Sequence, residues 1–141
     1  MKKAVVLFSL ILMILMIHAQ DNPEPKPVAP YSPSVMTGDG LLFISGQIAI
    51  NPETNTIMKG DIENETRVVM ERISAILEKN NMEFSNLVKC TVFLTDIRDY
   101  KAVNKVYASF FEDGFPAREA IEVSNLPLGA SIEISGIASK R

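Results

Sequence analysis

Apolar side chains change their spacing along this chain, and the change limits the folds open to it. Between Asp61 and about Asn80 they recur at intervals of three and four residues, which predicts an amphipathic helix. Asp61 is a residue type that caps helices, and Glu63 and Glu65 in the first turn favour the helix dipole. The predicted inner face consists of Ile62, Thr66, Val69, Ile73, Ile76 and Leu77.

A second segment with the helical period begins at Asp96 or Asp99. Gly114 and Pro116 end it, because neither residue continues a helix well. The predicted inner face of this second helix consists of Tyr100, Val103, Tyr107 and Phe111.

The remaining apolar runs have the alternation or the β-branched composition of strands. Asp39-Gly40 predicts a hairpin turn, and Gly46 interrupts the second hairpin strand as a bulge or a close backbone approach does. The predicted strands are 34–37, 41–45, 56–59, 87–94, 117–123 and 131–138. The order β-β-β-α-β-α-β-β predicts an α+β fold in which two helices cover one face of a sheet.

The other face of that sheet lacks a predicted cover. The runs 87–94 and 131–138 are apolar at most positions, so we expect the open face to pack on another subunit. Sites between subunits are then possible.

The N-terminal segment has the layout of a secretory signal peptide. Lys2 and Lys3 precede an apolar run, and Ala19 stands just before the expected cleavage point. We therefore predict a signal peptide at 1–19, a proline-rich arm at 20–30, a domain at 31–141, and an exported protein that is periplasmic or secreted. An uncleaved membrane anchor is the alternative, and it would also place the domain outside the cytoplasm.

Charge and residue inventory exclude several classes of function. Without residues 1–19 the chain has a net charge of −5, which is unsuited to binding nucleic acid through phosphate charge. His18, the single histidine of the chain, lies in the predicted signal peptide, so a zinc site or a histidine-based triad is not expected in the domain. Cys90 is the single cysteine and forms no intrachain disulfide; we expect a buried small residue.

Arg118 and Glu133 are the sharpest candidates for chemistry. Arg118 follows a Phe-Pro-Ala corner at a strand start, and its planar guanidinium matches a carboxylate. Taken alone, Arg118 is more simply interpreted as a member of a surface ion pair, with Glu119, Glu122 or Glu133 as its partner. Glu133 alternates with isoleucines along a predicted strand. This pattern indicates either an exposed edge residue or a buried acid with a raised pKa that holds or activates water.

Three further positions have both a structural and a functional interpretation. Ser45 and Gly46 at a strand end are compatible with plain turn chemistry or with a polar lip of a pocket. Tyr31 is either a packed ring or a pocket wall, and Asn104 is either a solvent-facing helix residue or a polar group of a site.

Six segments resemble the RidA/YjgF family in order and spacing, over about residues 29–138. The most specific part is Pro116-Ala117-Arg118 followed by Ile132-Glu133-Ile134. The segments are PYSPSV, LLFISGQIAINPET, GDIENETRVVMERISAILEKNN, LVKCTVFLTDIRDYKAVNKVYASFF, FPAREAIEV and SIEISGIA.

The resemblance implies a chorismate-mutase-like, YjgF-like α+β fold with a mixed β-sheet, and a homotrimer with a central barrel and clefts at the subunit interfaces. It implies a 2-iminobutanoate/2-iminopropanoate deaminase, which hydrolyses enamine/imine intermediates such as 2-aminoacrylate to 2-keto acids and ammonia. No cofactor and no metal are implied.

The resemblance also assigns roles to residues. It implies that Arg118 grips the substrate carboxylate and that Glu133 positions the attacking water. The implied substrate-binding residues are Tyr31, Ser45, Gly46, Asn104 and Ala120. Such a site suffices for this chemistry, because an imine already hydrolyses in water and needs only orientation, polarisation and a directed water molecule.

Two positions depart from the family pattern. Glu119 stands where a small residue is usual, and strand alternation is expected to turn it away from the cleft. Ala120 stands where relatives often have cysteine, and a role for its backbone N–H would survive the change. The alternative functions are a non-catalytic trimer that binds small carboxylates and an endoribonuclease; the acidic charge and the absence of histidine argue against RNA cleavage.

Overall fold

The computed structural model describes residues 30–140. The predicted signal peptide at 1–19 and residues 20–29 of the predicted arm lie outside the described residues, so both stay predictions. Within 30–140, no helix combines the length and the apolar character needed to cross a membrane.

Five strands and two α-helices follow one another within residues 30–140 in the order ββαβαββ, which is an α+β fold as predicted. Four of the predicted strands, 34–37, 87–94, 117–123 and 131–138, coincide with observed strands to within one residue at each end. The elements are β1 Ser34–Met36, β2 Leu41–Ile48, α1 Ile62–Lys79, β3 Leu87–Leu94, α2 Tyr100–Ala108, β4 Ala117–Glu122 and β5 Ile132–Ser139.

The strands form one mixed sheet in the order β1-β2-β5-β3-β4. All neighbours are antiparallel except β3 and β4, which are parallel because α2 connects them across one face. The register between β2 and β5 shifts between Ile44 and Gln47, so the predicted irregularity at Gly46 is a β-bulge.

Both helices pack on the same face of the sheet, as predicted. Asp61 caps α1 by accepting from the Asn64 N–H, and Asn80 ends it. Alternate residues of β3 and β5 are buried beneath the helices, and the shared core extends from Leu42 of β2 to Val103 and Tyr107 of α2. The position of the helices therefore determines which face of each strand is buried.

The predicted strand at 56–59 does not form. Only one isolated bridge joins Ile50 to Ile57, since turn contacts occupy the intervening segment. The Asn51 side chain accepts from the N–H groups of Glu53 and Thr54, and Asn55 has a φ of 54°. These local bonds compete with strand pairing.

The second helix starts after Asp99, one of its two predicted starts, and ends earlier than predicted. Asp96 caps a 3₁₀ turn at Ile97–Asp99, and the α-helix begins only at Tyr100. After Ala108, each N–H group donates to the carbonyl three residues earlier in the chain. The last of these bonds runs from the Phe111 N–H to the Ala108 carbonyl. The tightening ends the helix, although the Phe111 ring still packs against Tyr107.

Candidate functional site

The parallel pairing of β4 with β3 decides where Arg118 lies. Arg118 pairs with Cys90, whose side chain is buried on the helix-covered face. The Arg118 side chain therefore extends toward α2 at the edge of the sheet. Its guanidinium donates to Asn104 Oδ1 at 2.5 Å and lies 3.4 Å from the Tyr100 hydroxyl.

Two tyrosine rings of α2 complete the surroundings of the guanidinium. Its carbon lies 4.5 Å from the centre of the Tyr107 ring and 5.7 Å from that of Tyr100. A cation over an aromatic face is attracted by the ring quadrupole. Tyr100, Asn104 and Tyr107 are spaced by four and three residues and so share one helix face.

All these partners of Arg118 are uncharged. Within residues 30–140, no carboxylate oxygen lies within the 4.0 Å of an ion pair with Arg118. The guanidinium is thus positioned by neutral groups, and its charge remains available to an anion. This arrangement differs from the surface ion pair that the sequence left open.

Beside the guanidinium lies a cavity of about 440 Å³. Arg118 is the single formal charge in its lining, and Asn104 adds a polar amide. The rest of the wall is formed by Tyr107, Ala108, Phe115 and Pro116. The cavity therefore combines one cationic end with a largely apolar wall.

Titratable groups beneath the guanidinium are kept neutral. Burial raises the pKa of the Cys90 thiol and, more strongly, the pKa of the Tyr107 hydroxyl. The Tyr107 hydroxyl is buried and has no hydrogen-bond partner among the described residues. The prediction that Cys90 is a buried small residue is confirmed. In contrast, the Asn104 and Arg118 side chains lower the pKa of Tyr100 at the cavity rim.

Glu133 lies on the other face of the sheet. It pairs with Phe93 and with Ile48, and its side chain is on the open side, where burial raises the pKa of its carboxyl. Gly46 makes room for it: a Cβ at position 46 would collide with the Glu133 carboxyl group. The β-bulge and the absence of a side chain at Gly46 thus provide the space that the Glu133 carboxyl group occupies.

Tyr31 and Ser45 lie near one another at the start of the sheet. The Ser45 hydroxyl donates to the carbonyl of Ser32 at 2.7 Å, and the Ser45 N–H donates to the carbonyl of Pro33. Tyr31, directly before this segment, is 54% exposed. Ser45 directly precedes Gly46 on β2, and two strands, β5 and β3, lie between β2 and β4, which carries Arg118.

Ala120 and Glu119 occupy opposite faces of β4. Ala120 pairs with Val92, lies on the same face as Arg118, and packs partly buried against the core. Glu119 projects to the open face, where its carboxylate lies 3.0 Å from Lys89 Nζ and accepts from the Thr91 hydroxyl. Glu119 is therefore turned away from the guanidinium, as alternation predicts.

Arg118 and Glu133 do not meet within one chain. Their β3 partners, Cys90 and Phe93, are three residues apart, and β3 separates β4 from β5. Strand geometry places the two Cα atoms about 14 Å apart, with side chains on opposite faces. One chain thus brings together Arg118 with Asn104, and Glu133 with Gly46, as two separate clusters.

Sequence reasoning missed Tyr100, Tyr107 and Phe115 as members of the Arg118 cluster. Tyr100 and Tyr107 were assigned only to a helix face, and Phe115 to a corner. The available signal was the spacing of the two tyrosines around Asn104. This spacing alone does not identify the cluster, because the sequence does not show that β4 pairs with β3 in the register that brings Arg118 next to α2.

Comparison with known proteins identifies the family. Residues 22–140 match the Endoribonuclease L-PSP family. A RutC family protein of Pyrococcus horikoshii is 48% identical over 116 residues, which cover 82% of this chain and 91% of that protein. The 2-iminobutanoate/2-iminopropanoate deaminase of Capra hircus is 40% identical over 114 residues, which cover 81% and 82% of the two chains.

A solved structure shows the same fold. E. coli TdcF with bound serine superposes with a TM-score of 0.77 at 32% identity and covers 83% of this chain and 93% of that one. The mixed five-stranded sheet with two helices on one face is thus the YjgF-like fold that the resemblance implied. The chain belongs to the Endoribonuclease L-PSP family, which is the RidA/YjgF family.

Proposed function

We propose that this protein hydrolyses 2-imino acids and their enamine tautomers, such as 2-aminoacrylate, to 2-keto acids and ammonia. The observation that carries the proposal is the guanidinium of Arg118, held by the uncharged side chains of Asn104, Tyr100 and Tyr107 at a cavity. A fixed cation without a carboxylate partner suits the carboxylate of a small acid.

The reaction asks little of the protein. Water adds to the imine carbon, the carbon–nitrogen bond breaks, and the products are a ketone and ammonia, with no change of oxidation state. Arg118 would hold the substrate carboxylate in two parallel hydrogen bonds and so fix the imine carbon. Glu133, as a carboxylate, would accept a proton from the attacking water.

Such a site needs two chains, because Arg118 and Glu133 lie on opposite sheet faces about 14 Å apart within one chain. We therefore propose a homotrimer in which the open faces form a central barrel and each cleft combines residues of neighbouring subunits. Tyr31, Ser45 and Gly46 would accompany Glu133 on one side of the cleft. Asn104 and the backbone of Ala120 would accompany Arg118 on the other.

Relatives support the reaction class. The Capra hircus relative is a 2-iminobutanoate/2-iminopropanoate deaminase, and the E. coli neighbour binds serine, which is itself a small carboxylate. The neutral surroundings of Arg118 agree with a ligand of this kind. No metal or cofactor is required by the proposed mechanism.

The decisive experiment compares the protein with Arg118→Ala and Arg118→Lys. Imines are produced in the assay by an amino-acid dehydratase or oxidase, and keto-acid release is timed against trapping of the imine by semicarbazide. Arg118→Ala should lower kcat/KM at least about 100-fold, because a charge-assisted bidentate contact is lost. Arg118→Lys should recover only part of it, since lysine lacks the planar fork.

The control is Arg98→Ala, which removes an exposed arginine that pairs with Asp96 and is absent from the cavity lining. It should match the wild type. Equal rates for wild type, Arg118→Ala and the uncatalysed reaction would refute the proposal.

One observation favours a second candidate, a carboxylate-binding protein without turnover. The Arg118 cluster is complete in a single chain, whereas Glu133 is not part of it. That candidate predicts that 2-keto acids raise the melting temperature through Arg118 while imine hydrolysis proceeds at the uncatalysed rate. RNA binding, by contrast, should be undetectable at physiological salt, because the predicted mature chain is acidic.

We also propose that the protein is exported. Lys2, Lys3 and the following apolar run have the composition of a signal peptide. The test is fractionation of the producing cell with mass determination of the mature chain. An N-terminus at Gln20 in the exported fraction supports the proposal, and an intact Met1 in the cytoplasm overturns it.

A further inference from the structure

The cavity beside Arg118 has features that bear on substrate choice, a question that rests on the proposed function. Its lining carries one formal charge, that of Arg118, and no carboxylate. A ligand with one carboxylate can place it at the guanidinium. A second carboxylate would find no second cation in this lining.

The cavity wall other than Arg118 and Asn104 is largely apolar. Phe115 is 66% exposed, an unusual position for a large aromatic ring, and Ala108 and Pro116 lie beside it in the lining. An apolar ligand group that covers the Phe115 ring would remove apolar surface from water, which favours binding.

The exposed ring is held in place by other rings. Phe115 meets Phe111 edge-on at 5.6 Å between centroids, and Phe111 in turn packs on Tyr107 at 4.8 Å and on Phe84 at 5.4 Å. Tyr107 is the ring that supports the Arg118 guanidinium. One connected aromatic cluster therefore fixes both the cationic end and the apolar wall of the cavity.

The size of the cavity also bears on substrate choice. In a single chain the volume of about 440 Å³ exceeds the needs of a three-carbon acid, and it is the space that the side chain of the ligand and the neighbouring subunit would share. We propose that Phe115 and Ala108 are specificity-determining residues, and that the site prefers 2-imino monocarboxylates with an apolar side chain of four or more carbons. Such imines arise when an amino-acid oxidase or dehydrogenase removes two electrons and two protons from the carbon–nitrogen bond of leucine- or phenylalanine-like amino acids.

The test measures binding and turnover separately on the full assembled protein. Stable 2-keto acids serve as probes of binding: 4-methyl-2-oxopentanoate, pyruvate and 2-oxoglutarate, titrated by calorimetry. Imines generated in place by an amino-acid oxidase from leucine and from alanine probe turnover. We expect 4-methyl-2-oxopentanoate to bind about tenfold more tightly than pyruvate, and 2-oxoglutarate to bind no better than pyruvate.

Two variants assign the preference to the wall. Phe115→Ala should weaken 4-methyl-2-oxopentanoate about tenfold and leave pyruvate unchanged. Ala108→Leu, which fills the cavity, should reverse the preference in favour of pyruvate. The control Leu128→Asn removes an apolar side chain that is 71% exposed and absent from the lining, and it should change neither affinity.

The outcomes separate this inference from the proposed function. Hydrolysis of both imines with equal kcat/KM would overturn the preference and leave the deaminase standing. Tight, selective binding of 4-methyl-2-oxopentanoate without any imine hydrolysis would support the preference and refute the deaminase. If Phe115→Ala changes the sedimentation of the assembly but not the binding ratio, Phe115 belongs to an interface and the inference is wrong.

Discussion

The two faces of one sheet differ in what covers them. On the helix-covered face, Val92, Leu94, Ile132 and Ile134 are almost completely buried by the rest of the chain. On the open face, the neighbours of these residues along β3 and β5 are partly exposed and mix Phe93 with polar groups. A single chain therefore buries the helix-covered face almost completely and leaves the open face partly exposed.

The open face has an ordered pattern of its own. One row across the sheet begins with Val35, Phe43 and Ile137, and both Val35 and Phe43 are exposed. The row continues through Lys89, which pairs with Glu119. An apolar row beside a charge pair is the composition expected of a surface that packs against another copy, and it is the physical basis of the proposed trimer.

The largest expected effect comes from a matched pair of substitutions on β5. Ile134→Ala removes a side chain with no exposed surface and should lower the free energy of unfolding by about 3 kcal/mol at every protein concentration. Ile137→Ala, on the open face of the same strand, should cost less than about 1 kcal/mol in a dissociated chain. Urea unfolding at several concentrations measures both.

If the open face is an interface, the cost of Ile137→Ala should grow with protein concentration, because assembly stabilises the folded chain. Equal and concentration-independent losses for Ile134→Ala and Ile137→Ala would contradict the distinction between the two faces.

Gly46→Ala tests the role of the open face at the β-bulge on β2. The added Cβ would displace the end of the flexible Glu133 side chain rather than backbone, so stability should change little. Displacing the carboxyl group should lower kcat/KM about tenfold, because catalytic groups tolerate little misplacement. Gly38→Ala is the control, since a Cβ there meets no atom within 4 Å. A fall in activity equal in both variants would contradict this account.

The pH dependence of activity reports on Glu133. Burial raises the pKa of its carboxyl above the 4.5 ordinary for glutamate, so the acid limb of the kcat/KM profile should lie above pH 4.5. A raised folded-state pKa favours the protonated form, so this group stabilises the fold at low pH and the contribution is lost as pH rises through that pKa. Glu133→Gln should remove the acid limb and be relatively more stable near neutral pH than in acid.

Glu119→Gln should have the smallest effect on ligand binding. Glu119 contacts Lys89 and Thr91 on the open face, so affinity for 2-keto acids should stay within about twofold of the wild type. Lys89 and Thr91 lower the pKa of Glu119, so its contribution to stability is present near neutral pH and is lost as pH falls through the folded-state pKa. Melting curves of wild type and Glu119→Gln should therefore converge in acid. A tenfold change in affinity would show that Glu119 reaches the guanidinium.

The fold was largely predictable from periodicity. The helix at Ile62–Lys79 and the strand at Leu87–Leu94 follow from apolar spacing and from the cap at Asp61. The strand expected at 56–59 does not form, because the turn at Asn51 provides local hydrogen bonds that compete with strand pairing. The second helix was too long because the sequence does not reveal where α-helical bonds tighten into 3₁₀ bonds.

The candidate site was predictable only in part. Arg118, Asn104, Glu133 and Gly46 were named from the sequence and the family resemblance, and the structure places them in two clusters rather than one. The resemblance implied clefts at subunit interfaces, but the sequence did not show which residues belong to which cluster. That division depends on sheet order, with β3 between β4 and β5.

By itself, the sequence determined the residue inventory and the local elements: a fixed cation, an acid on a strand, no histidine in the predicted domain, and helices of known period. Only the tertiary structure decided that Arg118 rests on Asn104 and Tyr107 while Glu119 points away from it. The physical reason is that side-chain direction in a strand follows from local alternation, but its neighbours follow from register and strand order. Those are set by long-range pairing and by which face the helices bury.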